Sequence, residues 1–439
     1  MTSRDYFKGK RIAVIGLGPH GEMVSDIKFL IKAGALVGLY DLKSEARLKS
    51  HLVFLRSIGL ANYVCGSIPA DDMLDMDLIV LSHEYPRDSS FLKAAREKNI
   101  QIEYPETLFF KLAPPVTLVG VMGSCGKATV VSMLAPMLEE ICSGEEGQGF
   151  FTIDPESAVG ILAHLKKVKN GDLVLERITP DIMKELYAMR ISPHVAIFTT
   201  VPGNGSYEKT PFEILAFQTY NNFLIATDDV IDATRNFNDL PRAKMLRTKP
   251  SIVPAEWDFK GRGPHDVLNA ALVLQAARLF KVDDEVARHV LTRWKPLKGR
   301  LELVKKVKNV EFYNDTASVN SFSTRTAVES LSNDKNVVLV FGGATSPGDY
   351  RPLYSLLPEY IHTLVLLPGS GTMRERAALQ KMDHTEVFSA PSVEEAARLA
   401  LEHARKGDKV LFSPGFEVGG FDGSRRERGE RFVKAVRSL

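Results

Sequence analysis

The sequence lacks several features that would place it in a specialised class. Its three cysteines, Cys65, Cys125 and Cys142, are too few and too scattered for a disulfide framework or a metal-binding spacing. No apolar run reaches the roughly 18 residues of a membrane-spanning helix, and the N-terminal segment enters a strand without a signal peptide. A formal net charge of +2 gives no reason to expect nucleic acid or a membrane surface as a partner. We therefore expect a cytoplasmic, monomeric protein without membrane insertion.

Strand and helix patterns alternate along the whole chain in three blocks. A length of 439 residues is enough for about three domains with separate cores. Prolines before the central block and at Pro296 suggest boundaries that give residues 1–107, 108–296 and 297–439. We predict an α/β fold with a Rossmann-like N-terminal domain and a central P-loop ATPase-like domain. The C-terminal domain is predicted to be Rossmann-like, with a sheet of the dinucleotide-binding type.

Residues 116–130, V-T-L-V-G-V-M-G-S-C-G-K-A-T-V, have the pattern of a phosphate-binding loop. Val116–Val121 predicts a buried strand, and Ala128–Leu138 predicts a helix. Glycines between them let N–H groups approach phosphate oxygens, and a lysine at the helix N-terminus adds positive charge. The residues expected to bind ATP here are Gly123, Ser124, Cys125, Gly126, Lys127, Ala128 and Thr129.

This loop departs from the strict form G-x-x-x-x-G-K-[ST] in two places. Val121 stands at the first glycine, and Ala128 stands where a hydroxyl normally reaches Mg²⁺. Thr129 carries the nearest hydroxyl and is the candidate metal ligand in its place. The alternative is a glycine-rich turn with a surface lysine and no ligand; the pattern favours phosphate binding and leaves the metal open.

A second glycine motif, G-L-G-P-H-G, follows the strand predicted at Arg11–Ile15. In such a unit Gly16, Leu17 and Gly18 admit a diphosphate, and Asp41 at the end of the next strand accepts from a nucleotide hydroxyl or base. The alternative is that the glycines only let a helix pack closely on the strand.

Further along the chain, Glu176 ends the strand predicted at Asp172–Glu176, at the edge where parallel sheets place ligands. The sequence also predicts a helix over Phe212–Phe223 and β structure over Ser251–Phe259.

Taken together, these motifs resemble those of the Mur ligases, the ATP-dependent amide-bond ligases of peptidoglycan synthesis. The likeness covers nearly the whole chain and is greatest to the members that add D-glutamate to UDP-N-acetylmuramoyl-L-alanine. Besides the two glycine motifs, it rests on Leu175-Glu176, Gly263–Asn269, Pro296–Glu302, Asn314–Thr324, Phe341–Gly343 and Leu411–Phe432.

The resemblance implies a reaction in which ATP phosphorylates a carboxylate and an amino acid's amine attacks the acyl phosphate. The implied partners are a UDP-N-acetylmuramoyl peptide precursor and an amino acid, and the implied cofactors are ATP and Mg²⁺. Lys127 and Glu176 are the implied catalytic residues, with Glu176 as a Mg²⁺ ligand. The other implied contacts are Gly16, Leu17, Gly18 and Asp41 with the UDP substrate, Asn269, Arg300 and Asp315 with ATP, and Ser413 and Phe421 with the amino acid.

Departures from the family concentrate on catalytic positions. Residues 201–206 contain no histidine for a second Mg²⁺, and the family's A-K step reads Ala216-Phe217, with Lys209 the nearest lysine. Two further lysines are absent, from D-T-A-S-V-N at 315–320 and from G-G-A-T-S at 342–346. We therefore expect the second Mg²⁺ site to be lost.

Three functions remain open at this point. The first is an active ligase, and the second is a degenerate homologue that binds nucleotide or a cell-wall precursor as a partner or regulator. The third, a nicotinamide oxidoreductase built on the N-terminal glycines, explains neither Lys127 nor the C-terminal motifs.

Overall fold

A computed structural model describes residues 3–18, 21–83, 85, 88–143, 148–154, 159–200, 210–234, 242–259, 261, 263–332, 334–344, 348–382, 385–418 and 424–439. These residues form three β-sheets, and one sheet lies within each of the expected ranges 1–107, 108–296 and 297–439. The domain boundaries themselves stay predictions. By compactness the chain forms two units, Met1–Lys249 with Leu272–Ala287, and Pro250–Ala271 with Arg288–Leu439.

The first sheet is five-stranded and parallel. Its strands are β1 (Arg11–Ile15), β2 (Leu36–Asp41), β3 (Asn62–Cys65), β4 (Leu78–Leu81) and β5 (Gln101–Glu103), in the order β3-β2-β1-β4-β5. Its helices are α1 (Ser3–Phe7), α2 (Met23–Lys32), α3 (Glu45–Ser57), α4 (Lys93–Glu97) and α5 (Pro105–Leu112). All four β4 residues, L-I-V-L, are buried, as expected of a strand covered on both faces.

The second sheet belongs to the same compact unit and is six-stranded and parallel. Its strands are β6 (Thr117–Met122), β7 (Phe150–Ile153), β8 (Leu173–Arg177), β9 (Val195–Phe198), β10 (Phe223–Ala226) and β11 (Lys244–Arg247), in the order β11-β10-β9-β6-β8-β7. Its helices are α6 (Lys127–Cys142), α7 (Pro180–Ala188), α8 (Thr210–Glu213) and α9 (Asp228–Thr234). Helices α10 (Pro264–Leu279) and α11 (Asp284–Arg293) follow.

The third sheet has the order β12-β13-β17-β14-β15-β16, with the edge strand β12 antiparallel to its neighbour. The strands are β12 (Glu302–Val307), β13 (Val310–Asn314), β14 (Val337–Phe341), β15 (Ile361–Leu366), β16 (Glu386–Ser389) and β17 (Lys409–Phe412). The helices are α12 (Ser321–Leu331), α13 (Arg351–Tyr360), α14 (Ser370–Leu379), α15 (Val393–His403) and α16 (Arg425–Ser438). The predicted α/β class with parallel sheets is confirmed.

Two predicted elements are wrong. The helix expected over Phe212–Phe223 ends at Glu213, because Ile214 and Leu215 turn into the core and Asn222 closes a turn by accepting from the Thr219 N–H at 2.6 Å. The β structure expected over Ser251–Phe259 is instead a pair of short 3₁₀ turns, Pro250–Ile252 and Ala255–Trp257. Proline has no N–H to donate to a sheet, so Pro250 and Pro254 favour turns over a strand.

In the part of the chain that the structure describes, no helix combines the length and apolar character needed to cross a membrane.

Candidate active site

The phosphate-binding loop sits between β6 and α6, as the sequence predicts. Gly123 has φ +124°, and a Cβ there would come within 2.4 Å of the Thr199 hydroxyl oxygen. Gly126 has φ +84° and immediately precedes α6. Both glycines therefore occupy backbone positions that a larger residue would strain. Lys127 begins the helix and donates from Nζ to the Gly123 carbonyl oxygen at 2.5 Å.

The loop's amides are engaged by the residues that follow β9. Ser124 N–H donates to the Thr200 carbonyl oxygen at 2.9 Å, and Cys125 N–H donates to the Thr200 hydroxyl at 3.1 Å. The Thr199 hydroxyl donates to the Cys125 carbonyl oxygen. A phosphate that used the Ser124 and Cys125 amides would have to replace Thr200 as their acceptor.

Glu176 lies on β8 opposite Gly120 of β6, so it is on the strand next to the one that leads into the loop. Its residue is 1% exposed, and its Oε2 atom has no hydrogen-bond partner within the described structure. Burial raises the pKa of Glu176 well above its ordinary value, and the negative charge of Glu106 raises it further. A buried carboxylate oxygen without a partner has the chemistry of a Mg²⁺ ligand.

Glu106 is part of a site that sequence reasoning missed. It lies in the first turn of α5, and its Oε1 is 3.0 Å from Nε2 of His83, which follows β4. The His83 ring stacks on Tyr104, with 4.9 Å between the ring centroids. Burial alone would raise the pKa of Glu106, but the charge and hydrogen bond of His83 outweigh it, so that pKa is lowered. Neither residue belongs to a motif, and only the sheet order brings them together.

The metal-binding hydroxyl is absent from the position that normally supplies it. Ala128 is 5% exposed in the first turn of α6, and Thr129 is 8% exposed. Because successive helix residues are rotated by about 100°, the Thr129 hydroxyl faces a different direction from a hydroxyl at 128. Among the described residues, no group of three or more His, Cys, Asp or Glu side chains has a metal-binding arrangement. Thr129 as a metal ligand stays a prediction.

The structure places Ala216-Phe217, which align with the family's A-K pair, away from the phosphate loop. Phe217 N–H donates to the Ser192 hydroxyl at 3.1 Å, and Gln218 Nε2 donates to the Pro193 carbonyl oxygen at 2.8 Å. Ser192 and Pro193 precede β9, whereas the phosphate loop meets the residues after β9. Phe217 and Gln218 therefore lie at the amino-terminal end of β9, whereas the phosphate loop lies at its carboxyl-terminal end, about 13 Å away along the strand. Lys209 and the loop 201–206 lie outside the described residues.

The N-terminal glycine motif is tied to Asp41, which is fully buried. The carboxylate accepts from the Leu17 N–H at 3.0 Å, from the Lys43 N–H at 2.8 Å and from the Tyr85 hydroxyl at 3.2 Å. The Tyr85 ring also covers Gly16, where a Cβ would come within 2.4 Å of the ring. A UDP substrate is predicted to contact Gly16, Leu17, Gly18 and Asp41. It would there meet side chains and amides that are already engaged within the domain.

In the third sheet, two predicted site residues touch. Asp315 follows β13 and Ser413 follows β17, and the Ser413 hydroxyl donates to Asp315 Oδ2 at 2.8 Å. Burial raises the pKa of Asp315 to about 6, against lowering contributions from Ser318, Ser413, the Leu301 N–H and Arg300. Of the other predicted contacts, Asn269 is 5% exposed on α10, and Phe421 lies outside the described residues.

The comparisons with known proteins agree with these elements. Residues 299–416 match the family model described as Mur ligase, glutamate ligase domain. The UDP-N-acetylmuramoylalanine--D-glutamate ligase of Acetivibrio thermocellus is 27% identical over 98% of this chain and 97% of its own length. Over nearly its whole length the chain is similar to a D-glutamate-adding Mur ligase. The resemblance recognised from the sequence motifs is thereby confirmed.

Solved structures of Mur ligases share its fold. The UDP-N-acetylmuramate-alanine ligase of Thermotoga maritima superimposes with a TM-score of 0.61 at 15% identity, covering 98% of this chain and 99% of that one. The MurF ligase of Thermotoga maritima, solved in complex with ADP, gives a TM-score of 0.54 at 16% identity over 92% and 94% of the two chains. At these identities the likeness establishes the fold.

Proposed function

We propose that this protein is an ATP-dependent amide-bond ligase of peptidoglycan precursor synthesis. Its reaction would add D-glutamate to UDP-N-acetylmuramoyl-L-alanine through an acyl phosphate. The observation that carries the proposal is the full-length match to a D-glutamate-adding ligase, combined with the Lys127 loop and Glu176 on neighbouring strands.

The chain's own residues divide the chemistry between them. Lys127 and the loop amides would bind the ATP phosphates, and Glu176 would hold the Mg²⁺ that neutralises charge on the transferring phosphoryl group. Asn269, Arg300 and Asp315 would contact the nucleotide. Ser413 and Phe421 would contact the incoming amino acid.

A second candidate function is that of a degenerate homologue that binds nucleotide or a cell-wall precursor as a partner or regulator. Two observations favour it. Ala128 removes the metal-binding hydroxyl, and Thr200 engages the loop's amides. A carboxylate and a γ-phosphate brought together without enough positive charge repel each other in a low-dielectric site. The expected loss of a second Mg²⁺ site therefore favours the degenerate homologue over the active ligase.

A phosphate-release assay separates the two candidates. Purified protein is mixed with UDP-N-acetylmuramoyl-L-alanine, D-glutamate, ATP and Mg²⁺, and single omissions of each component serve as controls. A ligase releases phosphate only when all four are present, and Glu176→Gln lowers the rate by about a hundredfold or more, in line with losing a metal ligand. Phosphate release at background level, together with measurable nucleotide binding, would refute the ligase proposal and support the binding protein.

A further inference from the structure

The amino-terminal edge of the second sheet carries a group of aromatic and basic side chains. Its members are Tyr187, Arg190, Phe217, Tyr220 and Lys244, and we call them the edge patch. All five belong to the first compact unit. The phosphate loop lies at the carboxyl-terminal edge of the same sheet, so the edge patch lies outside the candidate active site.

Backbone hydrogen bonds fix the edge patch at the starts of β9, β10 and β11. The Lys244 N–H donates to the Asn222 carbonyl oxygen at 2.9 Å, which joins the start of β11 to the start of β10. The Phe217 N–H donates to the Ser192 hydroxyl just before β9. Tyr220 lies in the turn between these two contacts. Neighbouring strands are about 4.8 Å apart, so the three strand starts span about 10 Å.

The aromatic members form an exposed apolar surface. The rings of Tyr187 and Phe217 are in contact, with 5.5 Å between their centroids, and the Arg190 guanidinium lies 5.8 Å from the Phe217 centroid. Tyr187 is 39% exposed and Tyr220 is 72% exposed. Single exposed apolar residues are common on protein surfaces, but this ring pair is continuous with a guanidinium. Tyrosine and arginine are the residue types enriched where protein interfaces bind most strongly.

The charges of this surface are positive and lack acidic partners within the described structure. Arg190 and Lys244 are exposed, and so is Lys184, which lies one turn before the edge patch on α7. Among the described residues, no acidic side chain forms an ion pair with any of the three. At the other end of β11, by contrast, Arg247 is paired with Asp228 at 2.7 Å. The uncompensated cations favour a ligand that brings carboxylates or other anions.

We propose that the edge patch binds an acidic segment of a partner protein, in which an aromatic or aliphatic side chain lies between carboxylates. The apolar side chain packs on the Tyr187–Phe217 ring pair and on Tyr220. The carboxylates accept hydrogen bonds from Arg190 and Lys244, and a guanidinium can hold a carboxylate with two of them. Nucleic acid fits less well, because strong binding to it typically uses about six to ten phosphate contacts and this surface offers three cations.

Fluorescence anisotropy on the full chain, without nucleotide, tests the proposal. The probe is a labelled peptide of sequence E-E-D-W-L-D-E-E. A labelled peptide Q-Q-N-W-L-N-Q-Q keeps its length and apolar centre without the charge, and labelled octauridylate represents nucleic acid. We expect the acidic peptide to bind at least about tenfold more tightly than either of the other two probes. Binding requires neither ATP nor turnover, so this result stands apart from that of the ligase assay.

Variants locate the binding on the edge patch. Arg190→Gln combined with Lys244→Gln should weaken the acidic peptide about tenfold. Lys49→Gln combined with Lys98→Gln removes the same charge from exposed positions in the domain of the first sheet and should leave affinity unchanged. Tyr220→Ser should weaken binding about threefold, because it removes apolar contact area without removing charge. Thermal unfolding followed by circular dichroism checks that each variant is folded.

Several outcomes would overturn the proposal. These are no binding of the acidic peptide, equal affinity for the glutamine peptide, tighter binding of octauridylate, or unchanged binding by the Arg190→Gln, Lys244→Gln variant. Light scattering that shows a dimer of the wild type and a monomer of this double variant would overturn it as well, since a second copy of the chain would then cover the edge patch.

Discussion

The Ser413 hydroxyl donates to Asp315 across 2.8 Å, and both residues are buried. The same hydroxyl oxygen lies 3.0 Å from the Thr324 hydroxyl, while Asp315 Oδ1 accepts from the Leu301 N–H at 3.1 Å. The family resemblance implies that Asp315 contacts ATP and that Ser413 contacts the amino acid. Here the two side chains bind each other, so a ligand that used either would have to break this contact.

This relationship predicts a pH-dependent stability. The pKa of Asp315 is about 6 in the folded protein against an ordinary value of 3.8, so the folded state holds the proton more tightly. The stabilisation is fully present below about pH 4 and is lost as pH rises through about 6, by roughly 3 kcal/mol for an isolated group. Asp315→Asn should abolish that component, because an amide does not titrate.

Urea unfolding at several pH values between 4 and 7.5 measures the contribution of Asp315 to the free energy of unfolding. The free energy of unfolding of the wild type, minus that of Asp315→Asn, should fall as the pH rises. Asp71→Asn, which alters an exposed carboxylate in the first domain, serves as the control and should not show this trend. A difference that stays constant with pH would show that Asp315 does not titrate in this range.

A second prediction concerns the phosphate loop. Lys127→Met keeps the length of the side chain but removes the charge that would meet the nucleotide phosphates, so ADP affinity should fall about tenfold or more. Calorimetry with ADP measures it, and Lys98→Met at an exposed position is the control. If Lys127→Met binds ADP as tightly as the wild type, the loop does not bind phosphate through this lysine.

A third prediction separates two ways of restoring metal chemistry. Ala128→Thr puts a hydroxyl back at the position next to Lys127 and should increase the dependence of ATP affinity on Mg²⁺ by about threefold to tenfold. Phe217→Lys should change nothing, because residue 217 contacts Ser192 at the far edge of the sheet. ATP titrations with and without Mg²⁺ compare the two variants. A gain from Phe217→Lys alone would contradict the geometry.

A fourth prediction concerns the N-terminal glycine motif. Tyr85→Phe removes the hydroxyl that donates to Asp41 Oδ1 and accepts from the Leu42 N–H at 3.1 Å. Both groups then become available to a nucleotide base, so UDP affinity should rise about threefold to tenfold. Tyr63→Phe, which removes a hydroxyl bonded to Glu45 in the same domain, is the control. Weaker UDP binding by Tyr85→Phe would mean that the Tyr85 hydroxyl itself contacts the ligand.

The parts of the fold that the sequence predicted are those with a strong local signal. The strand predicted at Arg11–Ile15 is β1 with the same bounds, and all of its residues after Arg11 are buried. The edge strand β12, E-L-V-K-K-V, was missed because its lysines and partial exposure weaken the apolar pattern. Edge strands commonly carry such charges, which discourage pairing with other chains.

The candidate site was predictable only where it coincides with a motif. The phosphate loop and Glu176 follow from glycines and from a carboxylate at a strand end. The His83–Glu106 pair does not, because the two residues are 23 positions apart and meet only because the strands that precede them, β4 and β5, pair in the sheet. The hydrogen bond from the Tyr85 hydroxyl to Asp41 is likewise a long-range contact. It joins residues 44 positions apart, and no local pattern encodes it.

The strand order of the third sheet has a consequence for how this part of the chain is made on the ribosome. β17 is formed late, from Lys409–Phe412, yet it lies between β13 and β14 and pairs with both. Until those residues leave the exit tunnel, the β12–β13 hairpin and the β14–β15–β16 group have no shared strand to join them. The β12–β13 hairpin therefore keeps an exposed edge from the synthesis of Asn314 until β17 emerges, and chaperone binding would matter most in this interval.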